Sequence, residues 1–156
     1  MQRLLLWFVV VAMVALGSVS CSQFEEDDDV LKVGDKVPTF SVELSDGTRY
    51  DSQQRDGRPT LIVFFTTSCV DCQRELPLLD ERYRRQDYSG MRVLCISRAE
   101  GEETVRAFWE KHGLTLPYSA QPDRRIYDLF ARSGIPRIYR IDPNGTISNI
   151  SFAVEP

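Results

Sequence analysis

Apolar residues along this chain come in runs of two kinds, and their alternation sets out an order of elements. Leu61-Ile62-Val63-Phe64-Phe65, within Thr60 to Thr66, is continuous and rich in β-formers, and Arg92-Val93-Leu94-Cys95-Ile96, within Met91 to Ser97, repeats the pattern. Unbroken runs of this length suit strands buried on both faces. Between them the spacing turns helical: after Cys69, Leu76, Leu79 and Tyr83 share one face with charges between them. Glu102 to His112 is amphipathic, with Val105, Phe108 and Trp109 on one side and Gly113 placed to stop it. Ile126 to Ala131 is helical again through Ile126, Leu129 and Phe130, and Gly134 ends it.

Turn formers mark the rest. They crowd residues 34 to 58, where Asp46-Gly47 separates extended pieces at Phe40 to Leu44 and Arg49 to Asp51, a hairpin. Asp142-Pro143-Asn144-Gly145 separates Arg137 to Ile141 from Thr146 to Phe152, a second hairpin. The expected order is hairpin, strand, helix, strand, helix, short helix, strand, strand: an α/β layer structure with a central mixed sheet.

Composition narrows the class. The chain has 156 residues, 42% hydrophobic and 27% charged, room for one domain with a proper core and too apolar for disorder over most of its length. A net charge of −4 without a clustered basic surface speaks against nucleic-acid binding.

The first residues stand apart. Arg3 precedes an apolar stretch, Leu4 to Leu16, then the small residues Gly17, Ser18 and Ser20, and then Cys21. The stretch is shorter than the roughly 20 residues of a membrane span and fits an export signal. A cysteine at this point resembles the lipobox of bacterial lipoproteins, although Ser18 stands where a Leu is usual. That implies a signal peptide over 1–20, a lipid anchor on Cys21, an acidic linker over 21–32 and a folded domain over 33–156. The run Glu25, Glu26, Asp27, Asp28 and Asp29 is at least a solvated, self-repelling linker. It also resembles the acidic signal that sends some lipoproteins to the cell surface. The expected location is the cell envelope, outside the cytoplasm, with the outer membrane or cell surface favoured over the inner membrane; disulfides persist there.

The chemistry sits in Cys69-Val70-Asp71-Cys72, where the buried strand gives way to the first long helix. A cysteine at a helix N-terminus faces unpaired N–H groups and the positive end of the macrodipole, which favour its thiolate. The short spacer lets the second sulfur reach the first. Cys69 is the expected attacking thiol and Cys72, one turn in, the resolver. A zinc site would want more ligands than Cys95 and His112 can add, and a purely structural disulfide has no need of this junction.

Several segments together resemble the thioredoxin superfamily and, within it, the TlpA/ResA-like membrane-anchored thiol–disulfide oxidoreductases. They are Val33-Gly34-Asp35 through Pro38 and Phe40, Asp46-Gly47, the apolar strand, Cys69 to Cys72 with Glu75 and Pro77, and Gly134-Ile135-Pro136 before the strand ending at Asp142. The resemblance spans residues 33 to 150 and implies a thioredoxin-like fold. It implies that Pro136 is cis and faces the cysteines, holding the backbone of Ile135 where a substrate peptide can pair as an extra strand. Pro77 would kink the first helix. Glu75 would handle protons during exchange, the more so because Val63 replaces the acid that thioredoxin itself carries six residues before the first cysteine. The implied substrates are disulfides of exported proteins, apocytochrome c among them, with an upstream membrane thiol reductant as electron source. No cofactor or metal is expected. Two departures stand out: Ser68 replaces the usual Trp before the pair, and the sequence reaches Pro156 without the helix that normally closes the fold.

Other residues read more plainly. Cys95 is expected as a core hydrophobe, His112 as a favourable charge at a helix C-terminus, and Arg82, Arg84 and Arg85 as the solvated face of the first helix. Asp71 beside the sulfurs disfavours thiolate and points to a reductase rather than a disulfide-forming oxidase. The alternative is a redoxin-type thiol peroxidase using Cys69: Thr66 suits it, but Ile62 stands where such enzymes need Pro. A copper carrier would need His112 as a further ligand.

Overall fold

The computed structural model describes residues 29–154. The expected leader, Cys21 and the acidic run up to Asp28 lie outside them. A short hairpin, β1 (Ser41–Glu43) and β2 (Arg49–Asp51), precedes a five-stranded sheet. The sheet comprises β3 (Thr60–Phe65), β4 (Arg92–Ser97), β5 (Tyr118–Ser119), β6 (Arg137–Ile141) and β7 (Ile147–Ser151), in the order β5-β4-β3-β6-β7. β3 runs parallel to β4 and antiparallel to β6, with Val63 opposite Cys95 on one side and Ile138 on the other. Helices α1 (Val70–Arg84) and α2 (Glu102–His112) complete the α/β layers. The architecture is thioredoxin-like, with the mixed sheet, flanking helices and N-terminal hairpin that the pattern indicated.

All six residues of β3 are buried, as an unbroken apolar run requires. Strand alternation divides them between two cores. Ile62 and Phe64 join Phe40, Tyr127, Phe130 and Tyr139 on the hairpin side. Leu61, Val63 and Phe65 pack against Leu76, Leu79 and Trp109 on the helix side. Cys95 is fully buried in this second core, with burial pushing its thiol far up, which is how a core hydrophobe behaves. Gly113 ends α2 at φ 61°, a left-handed conformation that only glycine adopts freely.

Two elements differ from the pattern. Residues 126–131 form only a 3₁₀ turn, Tyr127–Leu129, because so short a segment cannot repay helix nucleation. β5 has only two residues and no apolar run announced it; its pairing with Cys95 and Ile96 of β4 makes it a strand. Beside β6, Leu61, Leu79, Tyr88 and Ile138 line an open groove of about 230 Å³.

One buried carboxylate ties α1 to the approach to β5. Asp80 is 1% exposed. Its Oδ1 accepts from the Thr115 N–H at 2.5 Å, the Thr115 hydroxyl at 3.0 Å and the Leu116 N–H at 2.9 Å, and Oδ2 pairs with Arg84 at 2.9 Å. Arg84 therefore serves a buried partner rather than a purely solvated face. Asp80→Ala strands these donors, so urea unfolding should show a loss of about 3 kcal/mol.

Candidate active site

β3 ends by delivering Thr66 to Cys69 to the rim of the sheet, and that short loop is pinned at Thr67. The Glu100 carboxylate accepts from the Thr67 N–H at 2.7 Å and from its hydroxyl at 2.9 Å, while Gln73 donates to the Thr67 carbonyl at 2.8 Å. Cys69 then occupies the N-cap of α1, in extended backbone geometry. Its carbonyl accepts the first helical hydrogen bond, from Gln73 N–H at 2.9 Å, and its sulfur accepts from the Cys72 N–H at 3.3 Å. Sulfur thus takes the place a serine or aspartate oxygen fills in ordinary caps.

The two cysteines differ in access. Cys69 is partly exposed, whereas Cys72 has no exposed surface, and neither is in a disulfide, so this is the dithiol form. Burial pushes the Cys72 thiol far above the ordinary cysteine range, and the hydrogen bond to Cys69 adds to that. Asp71 contributes only a smaller upward push there. Its carboxylate is well exposed and paired with Arg74 at 3.0 Å, so sealing of Cys72 outweighs the charge of Asp71 in keeping the Cys72 thiol protonated.

From across the chain, the segment before β6 closes over the sulfur. The Ile135–Pro136 peptide is cis. The Cys69 thiol donates to the Ile135 carbonyl at 3.5 Å. Ser68 is exposed, leaving this mouth uncapped by any aromatic ring from that position.

Glu75 is buried one turn past Cys72, at 7% exposure. Arg74 Nε donates to its Oε1 at 3.2 Å and the Val154 N–H to its Oε2 at 2.8 Å. Pro77 lies in the same helix and cannot donate to the Gln73 carbonyl. His112 is exposed in the last turn of α2, its ring 4.2 Å from that of Phe108. Cys69, Cys72 and Ile135 therefore converge, Glu75 sits behind Cys72, and Cys95 and His112 lie elsewhere.

Glu100 and Arg137 also bear on the site without having been legible. Glu100 reaches Thr67 only after the chain has crossed to β4. Arg137 opens β6 fully buried; its signal was a charge sharing the inward face of Tyr139 and Ile141 at a period of two.

A dithiol with one sulfur open and the other sealed, carried on a thioredoxin-like sheet, makes the protein a thiol–disulfide oxidoreductase of the thioredoxin superfamily, TlpA/ResA-like in type. The AhpC/TSA family profile matches residues 33–150, and the chain belongs to that family. It is 25% identical over 142 residues to the thiol-disulfide oxidoreductase ResA of Halalkalibacterium halodurans, covering 91% of this chain and 81% of the relative. The ResA protein of Geobacillus thermodenitrificans is 26% identical, with 96% and 87% covered. A candidate protein disulfide isomerase from Bacteroides thetaiotaomicron superposes with TM-score 0.73 at 26% identity, over 83% of this chain and 84% of that one.

Access should show directly in alkylation. In the native reduced protein, iodoacetamide should label Cys69 while Cys72 and Cys95 stay unlabelled up to about pH 9, because burial keeps them protonated and shielded. Peptide mass mapping before and after unfolding reads the difference.

Proposed function

We propose that the protein is an extracytoplasmic disulfide reductase for exported proteins, with Cys69 and Cys72 as its redox pair. The observation that carries the reading is the asymmetry of the two sulfurs beside the Ile135 carbonyl. The Cys69 thiolate attacks a substrate disulfide, forms a mixed disulfide and releases one substrate thiolate. Cys72 loses its proton and attacks the Cys69 sulfur, forming the Cys69–Cys72 disulfide and freeing the second substrate thiolate. Two electrons pass to the substrate, and an upstream membrane thiol reductant restores the dithiol. Ile135 and Pro136 receive the substrate backbone as an added strand. Glu75, the buried carboxylate on the turn beyond Cys72, takes the proton that Cys72 must lose.

Location rests on the sequence before residue 29: an export signal, lipidation of Cys21 and an acidic tether, favouring the outer membrane or cell surface. Apocytochrome c awaiting haem is one substrate of suitable chemistry. A sealed, protonated resolving thiol favours a reducing couple.

Cys72→Ala should accumulate mixed disulfides on Cys69 with envelope proteins, released by dithiothreitol and identified by mass spectrometry; a variant that captures none refutes the assignment. Equilibration with glutathione should place the couple nearer the about −270 mV of thioredoxin than the about −120 mV of a strong disulfide-forming oxidase. Rapid stoichiometric consumption of hydrogen peroxide by the reduced protein would instead assign the peroxidase chemistry. Glu75→Gln should slow resolution on the order of a hundredfold near neutrality, with the deficit shrinking as pH rises, seen by stopped-flow fluorescence.

A further inference from the structure

The substrate-docking loop is braced from a part of the chain that the reaction itself does not use. Arg137 comes directly after Pro136 and is 2% exposed. Its Nη1 pairs with Asp29 Oδ1, at the end of the acidic run. Asp29 is itself fixed there, bridged to Ala131, with the next two N–H groups, of Val30 and Leu31, donating to the Phe130 carbonyl at 3.2 and 3.1 Å.

The same guanidinium lies close against the docking loop at Gly134. A Cβ placed on Gly134 would stand 2.9 Å from Arg137 Nη2 and 3.0 Å from the Phe152 ring. The Phe152 ring also lies against the guanidinium, its centroid 4.7 Å away. The Gly134 carbonyl is held by the Tyr127 hydroxyl at 2.8 Å, so the loop is gripped at Gly134 from two directions just before Ile135.

We propose that Arg137 is a positioning residue for polypeptide substrates, and that Asp29 is the counter-ion keeping it in place. The inference rests on the reductase reading. A guanidinium cannot shed its proton, so a buried one without its carboxylate must move toward water. Leaving Gly134, it would release the loop that offers Ile135 to a peptide. Small disulfides need only the Cys69 sulfur and would not sense the change. The end of the acidic tether thereby becomes part of the docking apparatus.

The test uses the full chain in detergent, reduced and mixed with excess insulin or with 5,5′-dithiobis(2-nitrobenzoate), single turnovers being followed by fluorescence or absorbance. Asp29→Asn should raise the half-saturating insulin concentration about tenfold while the limiting rate stays within about twofold, a loss confined to binding. Its rate with the small disulfide should match the wild type, and Asp29→Glu should recover most of the insulin affinity. Equal insulin half-saturation in Asp29→Asn and wild type would overturn the inference, as would a parallel loss with both substrates accompanied by a lower melting temperature. A wild-type protein inactive on both disulfides would instead sink the reductase reading, and this inference with it.

Discussion

Burial of β3 on both faces is the constraint on which the site depends. Its side chains fill both cores, and its backbone is fixed in register by β4 on one side and β6 on the other. Slipping the strand by one residue would swap the contents of the two cores. The strand end is therefore held firmly, and the next residues, Thr66 to Cys69 and the N-terminus of α1, emerge at a defined place. The neighbouring antiparallel strand, β6, begins at that same rim, and this brings Gly134 to Pro136 against Cys69 from 66 residues away in sequence.

The chemistry then depends on a division between two sulfurs on one turn. The helix start places Cys69 outside the hydrogen-bonded cylinder, at the cap, and Cys72 inside it, facing the core with Leu76 and Leu79. Helix periodicity turns one sulfur outward and the other toward the core. Burial makes the inner thiol reluctant to ionise, so the proposed exchange needs a base near it. Glu75 lies one turn along with both oxygens already hydrogen-bonded, one by a side chain and one by the backbone of Val154.

Packing links the aromatic core to the docking loop as well. Phe64 of β3 holds the ring of Tyr127 at 5.4 Å and that of Phe130 at 4.9 Å. Tyr127 reaches from that cluster to the Gly134 carbonyl, and Phe130 offers its own carbonyl to the chain just after Asp29. One rigid aromatic group thus fixes both the loop and the segment that neutralises Arg137.

By itself the sequence determined which segments become strands and helices, because continuous apolar runs and helical spacing are local properties of the chain. It also marked the candidate redox pair, since C-x-x-C at a strand–helix junction carries its own geometry. Tertiary structure decided what locality cannot express. It made β5 a strand by pairing it with β4 and cut residues 126–131 to a single 3₁₀ turn. It also sent Arg84 to the buried Asp80. The partnerships of Glu100 with Thr67, Val154 with Glu75 and Asp29 with Arg137 join residues 33, 79 and 108 apart in number (the last by 137 − 29). Such pairs leave no periodic trace, because they exist only where the fold brings segments distant in sequence together.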